Sequence, residues 1–370
     1  MIRSSARWFG LGVAIALAIV PGRAVAQPAA TAPYHFENLQ AMARLPWFEL
    51  APSGRLRVKD PSVGPVIDVH AHLALSFGPP SQVDLGAKSP QTEHYLPTCC
   101  PVDLEPYANR NFSREQLDAL THDLTIESLG PHGMRRTHTA PNLLEEMDDM
   151  GIARTVLLPI DMPFASDNAG AVLGLAAREP RFIGFGSVHP HAWGASARLD
   201  AQAAAGARGL KFHPAVQLTR PDDARAIALY RQSGERGMVV FWHCGPVGIE
   251  SPLGRALSQV DLYEKPIAEN PHVTFILGHA GALQAEQALR LARRYPNVYL
   301  ELSSQGLPMV RRLVAEAPHD RLLFGSDWPF YHAAIPLAKV LIATEGRPTL
   351  RRRVLHDNAA RLFGTNQKGR

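Results

Sequence analysis

The chain is short of cysteine, of net charge and of long apolar runs, and each shortage narrows what it can be. Only three of its 370 residues are cysteine, two of them adjacent at Cys99 and Cys100, so a disulfide framework is not its source of stability. Lys and Arg number 38 against 34 Asp and Glu, and three of the arginines (Arg3, Arg7 and Arg23) lie in the first 26 residues; without those residues the net charge falls to +1. That balance gives no electrostatic reason to bind nucleic acid or an anionic surface. The longest apolar run, residues 8–20, is too short to span a bilayer comfortably, and no twin-arginine pair precedes it. A glycine fingerprint of the dinucleotide-binding kind is also missing after the first predicted strand.

Residues 1–26 instead read as a secretory signal: two arginines, the apolar run, then Ala24-Val25-Ala26 as a small-x-small cleavage site before Gln27. An uncleaved anchor is the alternative, and Pro21-Gly22 directly after the run speaks against it. The expectation is a periplasmic or secreted protein whose mature part has 344 residues, enough for one large domain. Residues 27–63 read as an extended, proline-rich lead-in with a short helix near 38–43. Beyond them, strands are predicted at 65–73, 154–160, 182–188, 208–213, 237–243, 273–279, 297–303 and 321–327. Helical patterns fall near 142–150, 168–178, 195–205, 222–236, 284–294, 306–317, 334–343 and 350–363. Eight short apolar strands alternating with helices indicate an α/β fold, a parallel (β/α)₈ TIM barrel over residues 64–364. Residues 74–140 form a long insertion after the first strand. Because it begins on the rim where that strand ends, it is a candidate lid, with Ser113 as the cap of a short helix.

Active sites of such barrels gather at the carboxyl ends of the strands, and the polar residues obey that rule. The first strand ends Asp68-x-His70-x-His72. Strand alternation puts Asp68, His70 and His72 on one face with Val66, and Ile67, Val69 and Ala71 on the other. The fourth ends Lys211-Phe212-His213-Pro214, the fifth His243-Cys244-Gly245, the sixth Gly278-His279-Ala280-Gly281 and the eighth Phe324-Gly325-Ser326-Asp327-Trp328-Pro329. Any one histidine closing a strand is most simply a satisfied core residue. Five strands ending in His, Lys or Asp on one rim make a nitrogen-rich, carboxylate-completed cluster suited to Zn²⁺ or a similar divalent ion.

This ordered set, with Asn358-Ala359-Ala360-Arg361-Leu362-Phe363 near the end, resembles the amidohydrolase superfamily, specifically the branch that includes aminocarboxymuconate-semialdehyde decarboxylase. The resemblance runs from about Pro65 to Gly364 and is interrupted by the insertion. It implies that His70, His72, His243 and Asp327 are metal ligands and that His279 is the general acid/base. Physical chemistry fits those roles: a divalent ion brings the pKa of its water to about 7, Asp327 could take that water's proton, and an imidazole exchanges protons in the same range. Asp68 reads as a partner of the ligands.

Lys211 departs from the decarboxylase pattern, and three readings stay open: a carboxylated bridge between two metals, an ammonium that grips a substrate carboxylate, or a head paired with an acid such as Glu301. His213 shares its face and reads as a substrate contact. Cys244 should point outward as a small core residue, and Cys99 with Cys100 are either free thiols or a vicinal bridge. The expected activity is metal-dependent hydrolysis of a small amide, ester or lactone, with non-oxidative decarboxylation of a small carboxylated molecule as the alternative. A barrel that binds without turnover is the third reading. The expected metal is Zn²⁺, with Mn²⁺ the alternative, and the expected partner is a small-molecule substrate. Neither nucleic acid nor, after signal cleavage, membrane is expected as a partner, and a homodimer is compatible with the sequence.

Overall fold

A computed structural model of the chain describes residues 34–77, 81–162 and 166–364, so the signal expected at 1–26 lies outside the described residues. The barrel strands are β1 (Val66–Ala71), β2 (Ile152–Leu157), β3 (Phe182–Gly184 continued by Gly186–Ser187), β4 (Gly209–Phe212), β5 (Val239–His243), β6 (Phe275–Gly278), β7 (Val298–Glu301) and β8 (Leu322–Leu323). Every neighbouring pair is parallel, as short apolar strands separated by helices require. The first segment of β3 pairs with β2 and the second with β4, while Phe185 between them turns into the barrel. Closure is made by the parallel bridge Ala71↔Trp328, with Asp327 N–H donating to His70 O at 2.8 Å and His72 N–H to Trp328 O at 2.7 Å.

Helices α1 (Arg114–Thr125), α2 (Ala140–Met150), α3 (Asn168–Ala176), α4 (Ala195–Ala204) and α5 (Ala224–Glu235) precede the short α6 (Pro252–Leu257) and α7 (Glu264–Glu269). Then follow α8 (Ala285–Arg294), α9 (Leu307–Glu316), α10 (Ala334–Ala343), α11 (Pro348–Arg352) and α12 (Asn358–Phe363). Local chemistry sets their ends. Ser113 and Gln116 close α1 with a reciprocal capping box, Asp223 caps α5 by accepting from Arg225 and Ala226 N–H, and Gly151 ends α2 in the left-handed conformation at φ 66°. The sequence pattern shows neither α6 nor α7, since each has six residues and Pro246, Pro252 and Pro266 break the helical period there. The lead-in is also more ordered than expected: Phe48–Leu50 and Leu56–Val58 form an antiparallel hairpin that buries Phe48 and Leu56. No helix among the described residues is long and apolar enough to cross a membrane.

Two apolar clusters fill the fold. The inner one takes Ile67, Val156, Ile183, Phe241, Ile276 and Leu323 from six strands and is plugged by Ala359, Ala360 and Phe363 of α12. The outer one packs strands against helices. This division corrects the expected faces of β1. Ile67 and Val69 belong to the inner cluster, and Val66 and Ala71 to the outer. The register to β2 slips between Asp68 and Ala71, so simple alternation fails and His70 also turns inward, 4.9 Å from the Phe241 ring. Cys244 packs in the outer cluster, and Cys99 and Cys100 are free thiols with sulfurs 3.8 Å apart.

Candidate metal centre

The two imidazoles at the end of β1, His70 within it and His72 just past it, are held by their outer nitrogens. His70 Nδ1 lies 2.8 Å from Glu301 Oε2, and His72 Nδ1 lies 2.7 Å from Leu158 O. A carbonyl oxygen only accepts, and Glu301 Oε2 also receives His279 N–H (3.0 Å) and Ser303 Oγ–H (2.9 Å), so both Nδ1 atoms carry the proton. Both Nε2 lone pairs therefore face inward, 3.1 Å apart, with Asp327 Oδ1 at 3.3 and 3.6 Å. Two bare lone pairs at that distance repel unless a cation lies between them. The three atoms fall within 4.8 Å of one another, and all three residues are buried. The second converging group, His70 with His279 and Glu301, is accounted for by hydrogen bonds.

The electrostatics suit a cation at this point. Burial drives His70 well below its ordinary value and His72 to about 3, which keeps the rings neutral and fit to bind a metal. Burial and then the nearby Glu301 charge push Asp327 up, and a cation bound beside it would hold it ionised. The residues present therefore fit a divalent ion, with His70 and His72 as nitrogen donors and Asp327 as the oxygen donor.

Asp327 does not sit in a strand as expected, because β8 ends at Leu323. It has φ 59°, four residues further on, and His279 has φ 55° directly after β6. Left-handed backbone at residues with a Cβ is strained, and here the surroundings impose it. Gln305 donates to His279 O (2.6 Å) and Ala282 O (2.8 Å), holding the turn that begins at His279. Asp68 accepts from His70 N–H (3.0 Å), Ser326 N–H (2.8 Å) and Ser326 Oγ–H (2.6 Å), tying the end of β1 to the turn carrying Asp327. Behind it, Glu146 of α2 accepts from Trp328 Nε1–H (3.2 Å) and Ala333 N–H (2.7 Å) and pairs with His94 Nε2 (2.8 Å).

His243 stands outside both converging groups. Its Nδ1 is 3.2 Å from His279 Nε2, and His279 Nδ1 is 2.9 Å from Ser303 Oγ. Since Ser303 donates to Glu301, it accepts from His279 Nδ1–H; His279 Nε2 then accepts from His243 Nδ1–H, and His243 keeps its lone pair on Nε2. His213 stacks on His243 with centroids 3.8 Å apart. Lys211 is buried beneath the site with its ammonium 4.5 Å from the Phe241 centroid, and no hydrogen bond reaches its Nζ. Pairing with Glu301 is therefore not observed. Burial outweighs the charges of Asp327 and Glu301 and pulls Lys211 down to about 7. Glu301 and Ser303 are the polar residues whose part the sequence reading missed, although an acid at the end of an apolar strand was a signal.

A cavity of about 500 Å³ opens above these groups. His72, His213, His243, His279 and Asp327 line its floor, and Lys211 is not part of its wall. Residues of the 74–140 segment line it too, among them Tyr107, Leu120 and Leu124.

Solved structures share this architecture. An uncharacterised TIM-barrel protein from Bordetella bronchiseptica is 19% identical, with 81% of this chain and 98% of that one covered at a TM-score of 0.57. The 5-carboxyvanillate decarboxylase of Sphingomonas paucimobilis is 16% identical over 81% and 98% of the two chains, with a TM-score of 0.56. A probable 2-pyrone-4,6-dicarboxylic acid hydrolase from Acinetobacter baumannii is 14% identical over 81% and 99%, with a TM-score of 0.52. Among curated proteins nothing matches. At these identities the likeness establishes the TIM-barrel fold. The family model described as amidohydrolase matches residues 67–365, a span that begins inside β1 and takes in every donor group described above. With its barrel, its buried His and Asp donors and that match in agreement, the chain belongs to the amidohydrolase family of metal-dependent enzymes.

Proposed function

We propose that the protein is a divalent-metal-dependent hydrolase of a small amide, ester or lactone. The observation that carries this reading is the convergence of His70 Nε2, His72 Nε2 and Asp327 Oδ1 on one point at the floor of the cavity. When bound there, a divalent ion supplies Lewis acidity and lowers the pKa of water. Zn²⁺ suits the mixed nitrogen and oxygen donors, with Mn²⁺ the second choice. The chain's own residues do the rest. Ser304 Oγ–H donates to Asp327 Oδ2 at 3.2 Å, which leaves Oδ1 turned toward the two imidazoles. Glu301 orients His70 and the backbone of His279 together. The His243 and His279 rings share one proton between Nδ1 and Nε2 on the cavity floor, where it can pass to a leaving group, and this is the acid/base part of the reading. His243 Nε2 remains available as a further donor to the ion. The reading takes the chain as exported, with residues 1–26 removed.

Non-oxidative decarboxylation is the second reading. It is favoured by the same donor set and by the decarboxylase among the proteins that share the fold. Metal-loaded protein assayed for CO₂ release and for lactone, ester and amide hydrolysis separates the two. Metal-dependent hydrolysis that falls about two to four orders of magnitude in His279→Asn, with the ion retained, supports the first reading. CO₂ release without hydrolysis overturns it in favour of the second. Loss of the metal in His279→Asn would make His279 a ligand.

A further inference from the structure

The composition of the cavity wall restricts the substrate more narrowly than the reaction class does. Among the described residues that line it there is no lysine and no arginine. The roof is one face of α1: Leu120, Thr121, Leu124 and Thr125 line the cavity at positions i, i+1, i+4 and i+5, and Ser128 and Leu129 extend the same face past the helix end. The hydroxyls on this face are spent on the helix itself. Thr121 donates to Leu117 O (2.8 Å), Thr125 to Thr121 O (2.6 Å) and Ser128 to Thr125 O (2.8 Å). On the wall after β5, Glu250 is the acid, and its two oxygens accept from Val247 N–H (2.9 Å) and Gly248 N–H (2.6 Å). The mouth is apolar as well, since Leu129 and Ile249 line the cavity and are 55% and 39% exposed.

One hydroxyl in the wall has no partner of hydrogen-bonding geometry. The Tyr107 hydroxyl is buried beside Ser304 without a well-formed hydrogen bond, and it lies at the end of the cavity where Ser304 and Asp327 are also found. An unpaired buried hydroxyl is costly unless a ligand completes it. Tyr107 belongs to the insertion, so the segment that roofs the cavity also brings a neutral donor to the metal-ligand end.

We propose that the cavity selects a substrate with an apolar, uncharged body and a single polar group at one end, which the Tyr107 hydroxyl receives beside the His70, His72 and Asp327 donors, and that it rejects substrates with a second anionic group. The inference rests on the metal-dependent reading of the same site. A second carboxylate would lie against leucines and spent hydroxyls with no cation to pair it, and an unpaired buried charge lowers binding by at least about 30-fold. Apolar substituents gain instead, with three methylenes worth roughly tenfold or more.

The test is calorimetric titration of the full chain loaded with Zn²⁺, with metal content measured on the same samples. The probes are benzoate, 4-propylbenzoate and benzene-1,4-dicarboxylate. The expected order is 4-propylbenzoate tighter than benzoate by about tenfold, and the dicarboxylate weaker than 4-propylbenzoate by about 30-fold or more. Tyr107→Phe should weaken 4-propylbenzoate about fivefold. Leu124→Arg and, on the same face, Thr121→Arg should each bring dicarboxylate binding up about tenfold by supplying the missing cation. A zinc-loaded chain that binds the dicarboxylate as tightly as 4-propylbenzoate, or binds none of the probes, overturns the substrate class and leaves the metal-dependent function standing. The absence of any gain in both arginine variants also overturns it. A chain that takes up no zinc contradicts the functional reading itself, and this inference with it.

Discussion

Glu301→Gln is the substitution that separates the electrostatic from the purely steric support of the centre. Glu301 Oε2 accepts from His70 Nδ1–H, His279 N–H and Ser303 Oγ–H, while Oε1 accepts from Ser303 N–H. Glutamine has the same shape, so its carbonyl oxygen will take the Oε2 position, where three donors converge. Its NH₂ group then faces the Ser303 N–H, donor against donor, which should destabilise the metal-free protein by about 1–3 kcal/mol. The larger consequence is for the ion. A histidine ligand whose outer nitrogen faces a carboxylate is a stronger base than one facing an amide, and loss of such a partner typically weakens metal binding 10- to 100-fold. That range corresponds to about 1.4–2.7 kcal/mol. Chelator competition with Zn²⁺ on wild type and variant measures it, and urea unfolding of the metal-free forms measures the structural cost. Ser303→Ala removes a neutral hydroxyl and should change metal affinity less than about tenfold. If Glu301→Gln leaves the zinc dissociation constant unchanged while Ser303→Ala raises it, the carboxylate does not strengthen His70 as a ligand.

Gly325→Ala should disturb the same place from behind, since a Cβ there would stand 2.3 Å from Glu301 Oε1 and 2.8 Å from His70 Cβ. We expect it to lower stability by roughly 1–3 kcal/mol and to reduce bound metal, measured by thermal unfolding and metal analysis; full metal content at an unchanged Tm would contradict the close packing. Lys339, buried in α10 and donating to Gln305 O at 2.8 Å, is drawn down by burial to about 7 from an ordinary 10.5. Between those values the unfolded chain binds a proton that the folded one does not, so wild-type stability gains with rising pH, by up to about 1.4 kcal/mol per unit. Below pH 7 both states are charged and the cost of burying the ammonium is felt in full. Lys339→Met should therefore compare best with wild type near pH 6 and progressively worse toward pH 9, and a stability difference that is the same at both pH values would refute the assignment.

The barrel was legible because its signal repeats. All eight predicted strands are found at their places, and the helix at 334–343 is found at those residues, since buried apolar runs and amphipathic periods do not depend on distant contacts. The rim of the site was legible for the same reason: a His, Lys or Asp closing an apolar run stands out locally. What the sequence hid are features fixed by contacts between strands. The slip in register after Asp68 depends on how β1 meets β2, and so Ala71 leaves the face it was expected to share with Ile67 and Val69 while His70 turns inward with them. The left-handed turns at His279 and Asp327 are held from other parts of the chain, by Gln305 and by Asp68 acting on Ser326. Of the three readings open for Lys211, pairing with Glu301 is the one the structure does not show, since it gives the Glu301 oxygens to His70, His279 and Ser303 and leaves the lysine without a hydrogen bond. Tyr107 sits in the long segment between β1 and α2, with no period to place it.

The central claim is that His70, His72 and Asp327 hold a divalent ion, and anomalous diffraction from a crystal of the purified protein tests it most directly. Data collected on either side of the zinc absorption edge should give one peak per chain, within coordination distance of His70 Nε2, His72 Nε2 and Asp327 Oδ1 and absent from crystals of Asp327→Ala. No peak at that point in zinc-loaded crystals, or a pair of peaks bridged through Lys211, would contradict the account.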